Sequence, residues 1–259
     1  MFSCSRPKAL QAFQNYVSSY EIKDDKTRLK IEHTMRVATL CEKIARNQKL
    51  SSEDVDLAWI IGLLHDIGRF EQLRQFGTFE DGKSINHAHF GCQVLFDEGH
   101  IHDFLEDHSE DKLIYTAIHE HSAYRPANII DDRTLLFCNI IRDADKIDIF
   151  RVNVEFPLEV IYNVSGKELI ASPITKEVFD SFLQKQAVKH SLKSTVVDRV
   201  VGHISLVFEL VFPISLQITS EQGYLEKIMS FRSSIPETNV QFSQIRNIVH
   251  QYLAIHEAV

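Results

Sequence analysis

The stretch Trp59-Ile60-Ile61-Gly62-Leu63-Leu64-His65-Asp66 decides the fold, because an unbroken apolar run ends in two ionisable side chains. Such a run predicts a helix that is buried on all sides. Ser51 and Asp54 have the spacing of a capping box, which predicts where this helix begins. An unpaired imidazole and carboxylate at a buried helix end are costly, so His65 and Asp66 are expected to bind a partner.

Histidine is the unusual residue of this composition. The chain contains 13 histidines, and nine of them lie between His33 and His121. Neutral imidazole and carboxylate are common protein ligands of catalytic divalent metals. Successive helical residues point about 100° apart, so His65 and Asp66 can share one metal only near a helix end. The pattern therefore predicts a metal site at the end of this helix.

Helical periodicity extends over most of the first part of the chain. Between residues 27 and 49, apolar residues follow His33 at the intervals of a helix. Helical patterns resume at 87–96, 112–121 and 134–150. Residues 69–86, which lie between the apolar run and the helical pattern at 87–96, are expected to form a long irregular connection. The predicted fold class is all-α.

The sequence after Arg151 has a different pattern, in which proline and glycine separate apolar-rich segments. Residues 200–218 are expected to form a buried helix that is broken at Pro213. We therefore predict a helical, site-bearing core over residues 1–160 and a C-terminal helical extension over residues 161–259 that packs on it.

Composition and charge exclude several classes of protein. The chain has 259 residues and a formal charge of −8, so it lacks the basic surface of a protein that binds nucleic-acid polymers or membranes. Its four cysteines are scattered, and its longest apolar run, 204–216, is shorter than the ~18 residues of a membrane span. The first residues lack the apolar stretch of a signal peptide. We expect a cytoplasmic protein with reduced thiols.

Three strings around these residues resemble the HD-domain superfamily of metal-dependent phosphohydrolases. They lie within residues 28–155 and are, in order, His33-Thr34-Met35-Arg36-Val37, Gly62-Leu63-Leu64-His65-Asp66-Ile67-Gly68-Arg69 and Ala144-Asp145-Lys146-Ile147-Asp148. Their order along the chain makes the resemblance specific. It implies an HD-domain helical bundle, in agreement with the periodicity, and one or two bound divalent metal ions.

Two further strings resemble those family members that bind two metals. They are Asn86-His87-Ala88-His89-Phe90-Gly91 and Ala117-Ile118-His119-Glu120-His121-Ser122. With Asp66 as the bridge, the resemblance implies a set of six metal ligands: His33, His65, Asp66, His87, His121 and Asp145. A mononuclear site that His87 and His121 merely line is the alternative. Mn, Fe, Co, Ni, Zn and Mg are not distinguished.

Helical phase discriminates within each pair of neighbouring histidines. His87 shares a helical face with apolar residues, whereas His89 shares one with Gln93. His121 continues an apolar stripe, from which His119 is rotated by about 200°. We therefore predict that His87 and His121, and not their neighbours, face the site.

Phase leaves the last carboxylate undecided. Asp143 and Asp145 each share a helical face with apolar residues. The choice of Asp145 follows from the resemblance alone.

The resemblance implies a phosphohydrolase that cleaves a phosphate ester or anhydride of a nucleotide or small phosphorylated metabolite with a metal-activated hydroxide. Cations beside the motifs are expected to contact the phosphate of this substrate: Arg36, Arg69, Arg125 and Lys146. Catalytic roles are assigned to Asp66, Arg69 and Lys146. His119 is assigned the role of leaving-group acid. The choice between phosphomonoesterase, phosphodiesterase and pyrophosphohydrolase is left open.

Two other functions remain as alternatives. Some HD proteins with a similar set of six ligands hold two irons and oxidise their substrates with O₂. In the second alternative, the chain is a regulatory or binding module whose metal only stabilises the fold. The aromatic residues Phe70, Phe76 and Phe79 are expected either to pack the 69–86 connection or to stack on a base. Assembly into a homo-oligomer is also left open.

Overall fold

The computed structural model describes residues 2–21, 24–127, 131–157, 161 and 164–256. These residues form helices and turns and include no strand, which confirms the all-α prediction. Within the same described ranges, no helix combines the length and the apolar character that crossing a bilayer requires.

Two compact units make up the chain, Met1–Ala144 and Asp145–Val259. Their boundary falls inside one long helix, Asp132–Glu155. The predicted domain boundary after residue 160 falls on a residue outside the described ranges, and it stays a prediction.

The first unit is built from seven helices and the start of an eighth, counted over its described residues. Between and beside them lie a 3-10 turn at Asp81–Lys83 and a π-helical turn at Gln93–Asp97. The helices are α1 (Arg6–Ser18), α2 (Asp25–Asn47), α3 (Ser52–Leu64), α4 (Ile67–Phe76), α5 (His87–Cys92), α6 (Ile101–Phe104), α7 (Asp111–Glu120) and α8 (Asp132–Glu155), which continues into the second unit.

The apolar run of the sequence forms α3. The Ser51 hydroxyl accepts a hydrogen bond from the Asp54 backbone N–H at 3.1 Å, so this serine caps the start of the helix. Every residue from Leu57 to Leu64 is buried. A helix that is apolar on all sides is stable only inside a core, which fixes α3 in the interior of the first unit.

The connection after the His-Asp pair is more helical than predicted. Helix α4 covers eight of the 18 residues of the 69–86 segment, because residues 69–76 are mostly good helix formers and include no proline. Gly77 ends α4 with a left-handed φ of 66°, a conformation that glycine adopts without steric cost. Only the residues after Gly77 form the irregular connection, which includes the 3-10 turn.

Two glycines let helices of the first unit approach closely. A Cβ at Gly62 would lie 2.7 Å from the Ala38 Cα, so α2 and α3 meet backbone to backbone. A Cβ at Gly68 would lie 2.5 Å from the Gly91 nitrogen and 2.6 Å from the His87 oxygen, so α4 and α5 do the same. These contacts set the spacing of the helices that carry the predicted ligands.

The second unit continues from α8 with shorter helices. Segment 200–218 is broken earlier than predicted: one helix ends at Ile204 and a 3-10 turn follows at Ser205–Glu209. Pro213 does not break a helix but opens the next one, where its missing N–H is not needed. A further 3-10 turn lies at His190–Leu192. The helices are α9 (Gly166–Ile170), α10 (Lys176–Leu183), α11 (Val196–Ile204), α12 (Pro213–Gln222), α13 (Tyr224–Met229) and α14 (Pro236–His256).

Candidate metal centre

Asp66 lies at the junction of α3 and α4 and is 2 % exposed. Its φ of −107° and ψ of 17° fall in the bridge region of backbone conformations, which active-site residues often occupy. Asp66 holds the N-cap position of α4, yet its side chain makes no capping hydrogen bond. The carboxylate is therefore available to groups from other helices.

Four imidazoles surround this carboxylate. His33 Nε2 and His65 Nε2 lie 3.7 and 3.6 Å from Asp66 Oδ2. His87 Nε2 and His121 Nε2 lie 3.6 and 3.9 Å from Asp66 Oδ1. All four histidines are buried. Ligand atoms of His65, Asp66 and His121 lie within 4.8 Å of one another, a separation that one metal ion can bridge.

His65 and His121 reach the centre in the same way. Each occupies the C-cap position of a helix, α3 for His65 and α7 for His121. The His65 Nδ1 lies 2.8 Å from the Gly62 carbonyl oxygen, and the His121 Nδ1 lies 2.7 Å from that of Ile118. The last carbonyls of a helix lack partners within it, so each ring satisfies one of them and directs its Nε2 toward Asp66.

His87 is the first residue of α5, which the Asn86 side chain caps. Its Nδ1 lies 2.6 Å from the Asp81 Oδ2, and its Nε2 lies 3.1 Å from the His121 Nε2. Burial, followed by the charge of Arg69, lowers the pKa of His87 from its usual 6.5 to about 4. The ring is therefore neutral at pH 7.

The hydrogen bonds at Nδ1 fix the tautomers of these rings. A carbonyl oxygen or an ionised carboxylate cannot donate a hydrogen bond, so Nδ1 of His65, His87 and His121 carries the proton. The Nε2 atoms then present lone pairs, and those of His87 and His121 face each other at 3.1 Å. Facing lone pairs repel, and a cation bound to them removes the repulsion. The donor set therefore fits a divalent metal.

Two cations also contact Asp66. Lys30 Nζ lies 2.7 Å from Oδ2, and Arg69 Nε lies 3.5 Å from Oδ1. Burial alone would raise the pKa of Asp66, but the charges of Lys30 and Arg69 hold it well below its usual range. The carboxylate is therefore ionised at neutral pH and able to bind metal.

Three residues with predicted substrate or catalytic roles are more exposed than the four imidazoles. Arg36 and Arg125 are exposed. His119 is partly exposed, and its ring stacks on that of His89 with 4.0 Å between the centroids. The roles of Arg36, Arg125 and His119 stay predictions.

The string Ala144-Asp145-Lys146-Ile147-Asp148 lies on α8, where the chain passes from one unit to the other. Asp143 is fully buried in the first unit, whereas Asp145 is half-buried and begins the second. Lys146 is buried, and its Nζ lies 3.9 Å from the Glu209 Oε2, which also belongs to the second unit. Metal binding by Asp145 and phosphate binding by Lys146 stay predictions.

Sequence reasoning missed two charged residues that touch the centre, Lys30 and Asp81. Lys30 precedes His33 by three residues on α2, and this spacing puts neighbours on one helical face. That signal was available in the sequence. Asp81 lies in the irregular connection, where spacing along the chain predicts no contact with His87.

Arg142 is a third residue that the sequence did not single out. Its Nη1 donates to the carbonyl oxygens of Glu120, His121 and Ala123 at 3.1, 3.1 and 2.5 Å. A cation at the C-terminal end of a helix interacts favourably with its unpaired carbonyls. Arg142 therefore stabilises the end of α7, where His121 lies.

The three aromatic residues of the predicted connection have different surroundings. Phe70 is buried, whereas Phe76 is 45 % exposed. Phe79 is half-buried, and the Lys30 Nζ and Arg69 Cζ lie 5.5 and 5.7 Å from its ring centroid. Packing explains Phe70, while Phe79 lies beside the two cations of the centre.

The depressed pKa of His87 predicts a loss of stability in acid. The unfolded chain takes up this proton near pH 6.5 and the folded chain only near pH 4, so between these values the unfolded state binds more protons. The contribution of His87 is complete above pH 6.5 and falls as the pH decreases, by about 2 kcal/mol between pH 7 and pH 5. Urea unfolding of metal-free protein at the two pH values measures it.

The control for this prediction is His87→Gln, which removes the titrating group. Its free energy of unfolding should depend less steeply on pH than that of the natural chain. Equal losses of unfolding free energy in the two proteins would show that folding does not lower the pKa of His87.

A family comparison agrees with this geometry. The model of the HD domain family matches residues 31–149. Residues 31–149 are therefore an HD domain, and HD domains bind divalent metals and are commonly hydrolases. No curated protein and no solved structure matches the chain.

Proposed function

We propose that the chain is a metal-dependent phosphohydrolase that cleaves a phosphate ester or anhydride of a nucleotide or small phosphorylated metabolite. The arrangement around Asp66 carries the proposal, because four buried histidines face this ionised carboxylate and Lys30 and Arg69 flank it. Imidazole and carboxylate suit a catalytic divalent metal, and the two cations suit an anionic phosphate. The HD domain of residues 31–149 supports the same class of reaction.

The two oxygens of Asp66 support a centre for two ions, with this carboxylate as the bridge. His87 and His121 face Oδ1, and the other two histidines face Oδ2. Each oxygen thus has its own pair of imidazoles. When bound, the metal polarises a phosphoryl oxygen and lowers the pKa of the attacking water. Asp145 is retained as the proposed sixth ligand.

Lys30 and Arg69 provide positive charge for the phosphate of the substrate. Arg69 is fixed beside the centre, because its Nη1 donates to the Phe79 carbonyl at 2.7 Å. Lys30 Nζ lies 2.7 Å from Asp66 Oδ2, which holds its ammonium at the centre, beside the place of a phosphate bound there. Hydrogen bonds from charged donors are roughly twice as strong as neutral ones, and they stabilise the charge that develops on phosphoryl oxygens.

Phosphate release by the full chain, purified without chelator, tests the proposed function. The substrates are an aryl phosphate and a panel of mononucleotides, cyclic nucleotides and dinucleoside polyphosphates, each assayed with one divalent metal at a time. We expect hydrolysis of at least one substrate, its loss on chelation and its recovery when metal is returned. Asp97 is exposed, so Asp97→Asn should behave like the natural chain, whereas Asp66→Asn should be inactive.

Absence of hydrolysis over the whole panel, with metal shown to be bound, would contradict the proposal. Under that outcome, a mixed-valent di-iron signal in electron paramagnetic resonance of anaerobically purified protein would favour the oxygenase alternative. Bound metal without either reaction would favour a regulatory module.

Lys30→Met is expected to lower kcat/KM for the phosphate substrate while leaving metal content unchanged. A hydrogen bond to a charged group contributes about 1.5–3 kcal/mol, which corresponds to a loss of about 10- to 100-fold in kcat/KM. Removal of the ammonium also frees Asp66 Oδ2 from a competing cation, so metal affinity should not fall. Steady-state kinetics and elemental analysis measure the two quantities.

Lys43, exposed on the same helix, provides the matched control for this prediction. Lys43→Met should leave kcat/KM unchanged, and Lys30→Arg should restore much of the loss because it returns the charge. Equal kinetics for Lys30→Met and Lys43→Met would show that Lys30 does not contact the substrate.

A further inference from the structure

We propose that Asp81 is a positioning residue that makes His87 a metal ligand and thereby controls occupancy of the Oδ1 side of the centre. This inference rests on the metal centre of the proposed function. It names a residue of the irregular connection, outside the sequence motifs that carry the predicted ligands.

The contact between Asp81 and His87 differs from those of the other rings. Asp81 Oδ2 lies 2.6 Å from the His87 Nδ1 and also accepts from the His87 backbone N–H at 3.4 Å. The corresponding partners of His65 and His121 are neutral backbone carbonyls. Of these three rings, His87 alone therefore hydrogen-bonds to a charged acceptor through Nδ1.

The orientation of the Asp81 carboxylate is itself fixed from α4. Its Oδ1 accepts from the Arg69 Nη1 at 2.8 Å and from the Gln72 Nε2 at 3.0 Å. Gln72 is fully buried and also donates to the Ser84 hydroxyl and the Ile85 carbonyl, both at 2.9 Å. These bonds hold Oδ1, which leaves Oδ2 for His87.

This arrangement acts on His87 in two ways. The carboxylate keeps the proton on Nδ1, so the Nε2 lone pair faces His121 Nε2 and Asp66 Oδ1 at 3.1 and 3.6 Å. It also increases the electron density of the ring, which strengthens Nε2 as a ligand. The first effect requires an acceptor at Oδ2, and the second requires the negative charge of Asp81. Asparagine removes both, because Arg69 and Gln72 donate to Oδ1 and an amide held by them presents its N–H group to His87.

The effect is confined to one side of the centre. His87 faces Asp66 Oδ1, whereas His33 and His65 face Oδ2 and have no contact with Asp81 among the described hydrogen bonds and ion pairs. Loss of the Asp81 charge should therefore weaken one of two bound ions and leave the other in place.

The test is the affinity of the full-length Asp81→Asn variant for Mn²⁺, measured by equilibrium dialysis after removal of metal with a chelator. Loss of a carboxylate that supports a metal-bound histidine typically lowers affinity by about 10- to 100-fold. We expect the natural chain to bind two ions and Asp81→Asn to show this loss for one of them. Asp97→Asn, an exposed substitution of the same kind, should bind like the natural chain.

A double-variant comparison separates positioning from a general structural role. In the His87→Ala background, Asp81→Asn should cause no further loss of Mn²⁺ affinity, because the ligand on which it acts is gone. Equal losses with and without His87, or unchanged affinity in Asp81→Asn alone, would overturn the inference.

A spectroscopic measurement covers the case in which a variant folds poorly. Long-range ¹H–¹⁵N spectra of the histidine rings of the natural chain should show His87 with its proton on Nδ1. Detection of the Nε2-protonated tautomer in the neutral, metal-free protein would overturn the inference. None of these measurements uses catalytic turnover, so a chain that binds metal as described but hydrolyses no phosphate would contradict only the proposed function.

Discussion

Asp66→Ala is expected to remove bound metal and phosphohydrolase activity together. Its two oxygens each face two imidazoles, so this one side chain lies beside four of the other five predicted ligands. Without it, the pairs on either side lose their shared anion, and Lys30 and Arg69 leave the cavity strongly positive. We expect kcat/KM to fall by at least about a thousandfold, or ~4 kcal/mol of transition-state stabilisation.

The loss should not reflect unfolding. The Asp66 side chain makes no capping hydrogen bond to α4, so that helix does not depend on the carboxylate. Circular dichroism should therefore match that of the natural chain, and Asp97→Ala should retain both metal and activity. An Asp66→Ala protein that keeps a full complement of metal would contradict the bridging role.

Among the variants proposed for this chain, Gly68→Ala is expected to cause the largest loss of stability, because backbone atoms occupy the space of the added methyl group. It would meet the Gly91 nitrogen at 2.5 Å and the His87 oxygen at 2.6 Å, and backbone atoms cannot move aside as flexible side chains do. Separation of α4 from α5 should cost about 2–3 kcal/mol and lower the Tm of metal-free protein by about 5–10 °C. The same movement displaces His87, so one metal ion should be lost.

Gly82→Ala is the matched control, because no atom lies within 4 Å of a Cβ at that position and its φ is not positive. Thermal unfolding in the presence of chelator compares the two variants without a contribution from bound metal. If Gly68→Ala and Gly82→Ala unfold at the same temperature, α4 and α5 are not in the close contact described here.

Helical phase predicted the burial of the histidines well. His87 and His121 are buried and face Asp66, while His89 is exposed and His119 is partly exposed. Phase succeeds here because one face of each helix packs against the core and the other meets solvent, so a rotation of the helix is visible in the apolar pattern. The all-α fold class followed from the same signal.

Phase alone could not choose between cations on either side of a ligand. Lys30 and Arg36 are both three residues from His33, on opposite sides of it, but Lys30 contacts Asp66 and Arg36 is exposed. The choice depends on where α3 and α4 lie relative to α2, which the sequence of one helix does not contain.

The side-chain contacts made by irregular segments could not be predicted from the sequence for a similar reason. Asp81 reaches His87 because Arg69 and Gln72 hold the turn against α4, a set of side-chain bonds without periodicity. The extent of α4 itself was underestimated, since two glycines within 69–86 suggested an irregular connection. The first of them, Gly77, in fact only ends the helix.

Anomalous X-ray diffraction from crystals of metal-loaded protein, at the absorption edge of the bound metal, tests the metal centre most directly. We expect anomalous density within bonding distance of Asp66, with one peak toward His65 and one between His87 and His121. Full metal loading with no anomalous peak near Asp66, or with peaks only at other histidines of the chain, would contradict the metal centre and the phosphohydrolase function that depends on it.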